Sequence, residues 1–84
     1  MDICTNVRNL IEDIITENDY ILDEVLYLKE DSMMFLRIIL DKKEGYIDLE
    51  DCIKVTKLIN PIIEEADPIE ENYIMDVCSK EKGC

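Results

Sequence analysis

The chain is 84 residues long and carries 21 acidic side chains against 9 basic ones, no histidine, and a formal net charge of −12. That length holds one domain and not two, and the apolar residues are spread between charges at regular spacing, which marks a folded chain rather than a disordered one. So acidic a surface repels phosphate backbones, which are bound through Lys and Arg displacing counterions, so contact with naked nucleic acid is disfavoured and a basic protein is the natural partner.

The opening "MDICTNVRNL" has no basic leader ahead of an apolar core, and is therefore not expected to be a secretory signal. No uninterrupted apolar run approaches the ~20 residues needed to cross a bilayer, so the expectation is a cytoplasmic protein with no membrane contact. Cys4, Cys52, Cys78 and Cys84 include no C-x-x-C pair and have no histidine to complete a zinc site. They are expected to be thiols in a reducing compartment, with no metal and no cofactor. Cys52 has the surroundings of a small core residue, and Cys84 those of an exposed terminal thiol.

Ile3, Val7, Leu10, Ile11, Ile14 and Ile15 recur at steps of three and four, which predicts a helix over about 2–17 with Arg8, Asn9 and Asp13 turned outward. Asn18 and Asp19 then favour a turn. Two apolar runs, Tyr20 to Lys29 and "MMFLRIILD", flank a short polar "KEDS" and predict a β-hairpin. In the second strand Met34, Leu36, Ile38 and Leu40 share the core face, and Phe35, Arg37, Ile39 and Asp41 share the other. The first strand breaks strict alternation at Asp23 and Glu24, which calls for a bulge or a sheet edge.

Gly45 is available for a positive φ in the "DKKEGY" loop. Asp48 can cap a second helix whose first turn is acidic, as the helix dipole favours. Cys52, Thr56, Ile59 and Ile63 give its stripe, flanked by Leu49, Val55 and Ile62. Pro61 lacks the N–H an interior position would donate, so a kink or a restart capped by Asn60 is expected there. Asp67 and Pro68 mark a turn, and a third strand is predicted over Tyr73 to Cys78 with Tyr73, Met75 and Val77 on one face. The order α-β-β-α-β makes a single α+β domain with two helices on one face of a three-stranded sheet and a right-handed crossover into the last strand.

"LRIILDKKEGYIDLEDCIKVTKLI", followed by "EEADPIEENYIMDV", resembles the N-terminal domain of the RimP family of bacterial ribosome maturation factors. The residues that carry the likeness are Leu36, Arg37, Asp41, Lys42, Gly45 through Cys52, Asp67-Pro68-Ile69, Tyr73, Asp76 and Val77. They span about residues 20–79, while the first helix agrees in pattern only. In the family the last strand leads through a Ser-Ser-Pro-Gly hinge into a second, SH3-like domain. Here Cys78-Ser79 and Lys80-Glu81 stand at the hinge positions, so the expected organisation is a RimP N-terminal-like domain over 1–79 and a polar tail over 80–84. The chain would then be a single-domain relative or a portion of a longer factor.

The resemblance implies a non-enzymatic role in maturation of the small (30S) ribosomal subunit, in contact with that particle or one of its basic proteins. The residues themselves hold no catalytic constellation. Glu64-Glu65 and Glu70-Glu71 read as solvated surface, and Ser32 and Ser79 lack a histidine base. Arg37 lies mid-strand between Phe35 and Ile39 on the face opposite the core, and the family carries an arginine there. With Ile74, these residues make that face more apolar than a free sheet face needs, and Phe35, Arg37, Ile39 and Ile74 are the candidate partner-binding residues. The competing reading is a free-standing acidic interaction module with no ribosomal role. A monomer is expected, with pairing through an exposed strand edge the alternative.

Overall fold

In the computed structural model, which describes residues 2–83, the first apolar stripe closes as helix α1 (Ile3–Glu17). Asp2 caps it by accepting from the Thr5 N–H at 2.8 Å. Val7, Ile11 and Ile15 are fully buried, each worth about 1.5–3 kcal/mol relative to exposure. Arg8 departs from the outward position expected of it. Its guanidinium donates to the carbonyls of Leu22 at 3.2 Å and Asp23 at 3.0 Å while pairing with Glu12 at 2.9 Å.

Those carbonyls need a donor because the next strand, β1 (Ile21–Glu30), is irregular there: its pairing register with β2 (Met33–Asp41) shifts between Leu22 and Glu24. The bulge at Asp23 brings Leu22 and Val25 both to the core and resolves the adjacent acidic pair. β1 and β2 are antiparallel and joined by Asp31 and Ser32, both at positive φ, 49° and 69°. This is the conformation a two-residue hairpin loop demands and that Asn-Gly meets most cheaply. Ser32→Gly is therefore expected to raise stability by about 0.5–1 kcal/mol, seen as a higher midpoint in urea with an unchanged slope.

β2 is the central strand, and Leu36, Ile38 and Leu40 are completely buried as the alternation predicts. Gly45, at φ 79°, turns the chain toward α2 (Leu49–Ala66). Asp48 caps this helix in a reciprocal box with Asp51. Val55, Ile59 and Ile63 face the core, with Cys52 packed at its edge, but Leu49, expected to flank the apolar stripe, is turned to solvent. The helix does not restart at Pro61; it runs unbroken to Ala66. Lys57, whose carbonyl loses its partner to the proline, and Pro61 itself are both exposed, so water can take the free carbonyl.

Asp67 ends α2 in the left-handed conformation, φ 45°, and the connector leads to β3 (Ile74–Ser79), which pairs parallel with β2. The result is a three-stranded sheet in the order β1-β2-β3, with both helices packed on the side where Leu22, Val25, Leu36, Ile38 and Leu40 point. Beyond β3 the chain continues the ladder through Lys80 N–H to Leu40 O and folds back, Gly83 N–H meeting Ser79 O at 2.8 Å. Cys4 and Cys52 are free, whereas Cys78 is disulfide-bonded and not the thiol expected of it. The reading of Cys84 lies outside the described residues. No helix among the described residues is long and apolar enough to cross a membrane.

Candidate functional site

With both helices on one side, the strand register fixes what the other side presents. Residues at alternate positions form rows across the three strands: Leu28, Phe35 and Ile74; then Leu26, Arg37 and Asp76; then Glu24, Ile39 and Cys78. Met33 lies opposite Glu30 at one end and Ile21 opposite Asp41 at the other. The four residues singled out from the sequence, Phe35, Arg37, Ile39 and Ile74, share this face and adjoin one another. Three rows of pairing put Phe35 directly beside Ile74, and Arg37 between them and Ile39.

Leu26, Leu28, Phe35 and Ile39 are half-buried without packing on the core, Ile21, Met33 and Ile74 are exposed, and Cys78 at the end of β3 is buried. A sheet face in the open would ordinarily alternate apolar inside with polar outside, so the row Leu28-Phe35-Ile74 is a surplus of apolar area facing solvent. Its border is acidic. Glu30 lies in the row on one side and Asp76 in the row on the other, with Glu24 and Asp41 further along the same face.

Arg37 ties the three strands together. It donates to both carboxylate oxygens of Glu30, at 2.9 and 3.3 Å, lies 3.6 Å from Asp76, and sets its guanidinium 5.4 Å from the centre of the Phe35 ring. The hydrogen bonds hold the Glu30 carboxyl below its ordinary range and keep Arg37 more firmly protonated. The β1 members of the face, Leu26, Leu28 and Glu30, escaped the sequence reading. The signal was the bulge: once Asp23 is set aside as the extra residue, alternation resumes and points all three the same way as Glu24.

A second polar group lies at the far end of the domain. Tyr20 donates to Asp51 at 2.6 Å, Lys42 pairs with the other Asp51 oxygen at 2.9 Å, and Lys42 and Lys54 each stand 5.6 Å from the Tyr20 ring. These contacts lock the turn before β1 to the start of α2, and a cleft of about 560 Å³ opens beside them between Glu12, Thr16, Lys42 and Lys43. The charges of Asp51 and Lys42 are spent on each other, which gives this corner a structural part. Tyr46, Leu49 and Ile53 form a further exposed apolar group at the tip of α2. Among the described residues no three or more Cys, Asp and Glu side chains are placed to hold a metal ion.

The fold, the Asp48-Asp51 box at the head of α2, the Asp67-Pro68 turn and the Arg37 position together carry the likeness drawn from the sequence. The model of the RimP N-terminal domain matches residues 10–80, a span that takes in the second half of α1 as well as everything from β1 to the end of β3. The family is one of ribosome maturation factors, and this chain belongs to it as a RimP N-terminal domain.

Proposed function

We propose that the domain serves maturation of the small ribosomal subunit without catalysing a reaction, by docking a basic segment of a small-subunit protein on the open face of its sheet. The observation that carries this reading is the face itself: an apolar row, Leu28-Phe35-Ile74, left bare by both helices, with Glu30 and Asp76 in the rows beside it and Glu24 and Asp41 further along the face. Apolar area supplies affinity, and the acidic border selects a cationic partner and speeds its approach. The net charge of −12 extends that attraction over about 10 Å at 0.1 M salt and about 3 Å at 1 M. Binding is therefore salt-sensitive, and protein-free rRNA is not a ligand. The domain works as a cytoplasmic monomer.

Co-sedimentation with immature small subunits tests this. Ile74 is an exposed residue of an edge strand, so Ile74→Lys folds, and places a cation where a cationic partner must sit. It is expected to weaken association at least tenfold, while Leu49→Lys, on the distant tip of α2, leaves it unchanged. Equal binding by both variants, or tight binding to naked rRNA that salt does not diminish, would overturn the proposal.

A further inference from the structure

Arg37 sits in the middle of the open face, yet its side chain is only 17% exposed. It is not spread in its own row between Leu26 and Asp76. It runs back across Phe35 to Glu30, while Glu30 and Asp76 keep 47% and 36% of their exposure. Its Nε is buried and has no hydrogen-bond partner, so the resting arrangement leaves one strong donor unmet. A guanidinium stacked on an aromatic ring, forked onto one carboxylate and within reach of a second, is also how an arginine from another protein would lie on this surface.

We propose that Arg37 is an internal stand-in for a cationic side chain of the docking partner, displaced from Glu30 and Phe35 when the partner binds. The inference rests on the reading of the open face as the docking surface and assigns Arg37 a part in it. Left in place, Arg37 neutralises Glu30 and Asp76 and covers the Phe35 ring, so the face offers an incoming cation neither of these carboxylates. Displaced, it frees two carboxylates for the incoming cation and uncovers the Phe35 ring for an apolar neighbour. The exchange is close to balanced, because the Glu30 pair is half exposed and screened by solvent, and release also frees Nε to find water. A partner without a cation at this point cannot open the face, so the resting Arg37 screens for the right one.

The test uses a peptide that alternates arginine and leucine as the probe, with calorimetric titration against four chains. Arg37→Met keeps an apolar stem over Phe35 and removes the competing cation. It is expected to bind about three- to tenfold tighter than the parent. Lys57→Met, on the exposed side of α2, makes the same change in net charge and should alter affinity less than twofold. In the parent, the Arg37 Hε resonance, sheltered in the free protein, should move into rapid solvent exchange as the peptide saturates. Arg37→Met binding no tighter than Lys57→Met, with Ile74→Lys still abolishing binding, would overturn displacement and leave the docking face standing. Parent-like binding by Ile74→Lys would remove the docking face, and the role of Arg37 with it.

Discussion

Leu36→Ala is expected to lower folding stability by about 2–5 kcal/mol, measured as a shift of the denaturation midpoint with urea. Leu36 is fully buried in the central strand, beneath both helices, and its neighbours across the sheet are Tyr27 and Met75. Truncation there removes apolar burial and leaves a space that two hydrogen-bonded flanking strands cannot close. Domains of this size have on the order of 5–10 kcal/mol in total, so the loss is a large share of the stability of the fold. Ile39→Ala, three residues on and facing the other way, removes a similar side chain that is already half in water, and should cost under about 1.5 kcal/mol. Equal losses at the two positions would mean that the sheet has no bare face.

The second large effect is expected at Asp51. Its carboxylate accepts from the Tyr20 hydroxyl and from the Asp48 N–H, and pairs with Lys42. Asp51→Ala should therefore cost about 2–4 kcal/mol, since it deletes half of the capping box and leaves the hydroxyl of a buried tyrosine without an acceptor. In a Tyr20→Phe background no hydroxyl is stranded, and the same substitution should cost at least about 1 kcal/mol less. Additive losses would show that Tyr20 and Asp51 are not coupled.

The same contacts set the pH limits of the fold. The Tyr20 hydrogen bond foremost, with those from the Asp48 backbone and Lys42, holds the Asp51 carboxyl far below the usual carboxylate range. A carboxylate whose pKa is lower folded than unfolded contributes in full above about pH 4, and that contribution is lost as the pH falls below it. Tyr20 works in the opposite sense. Burial and the bond to Asp51 push it up to about 12, so what it contributes is complete below about pH 10 and is lost as the pH rises through the interval above. In the Asp51→Ala chain the acid limb of the stability curve should be shallower below about pH 4, as the pH-dependent stability that this carboxylate contributes is already gone.

Most of the architecture was legible in local pattern. The 3.6-residue spacing of Val7, Ile11 and Ile15 and the two-residue spacing of Leu36, Ile38 and Leu40 leave little choice about which way those side chains face. The adjacent acids Asp23 and Glu24 called for a bulge or a sheet edge, and β1 has both. The open face followed in part, because Phe35, Arg37 and Ile39 are the complement of the core set on the same strand. What was hidden depends on contacts distant in sequence. Arg8 looked like a surface residue on a helical wheel, and nothing in α1 says that a bulge in another element will need its donors. Asp51 was visible as a first-turn acid, but not as the acceptor for Tyr20. Pro61 offered a restart of the helix by the local rule, and α2 instead continues through it with Ile59 and Ile63 buried on either side. For Arg37 the face was legible, but not the company. Its partners come from β1 and β3, and only the assembled sheet shows that its charge is already satisfied.

Amide chemical-shift mapping of the labelled domain with purified basic proteins of the small subunit tests directly where a partner sits. At low salt the perturbed amides should follow the rows of the open face, Leu26 and Leu28 in β1, Phe35 to Ile39 in β2 and Ile74 to Asp76 in β3, and they should return toward their free positions at 1 M salt. Perturbations confined to the helices, or centred on Tyr46, Leu49 and Ile53 at the tip of α2, would contradict the account.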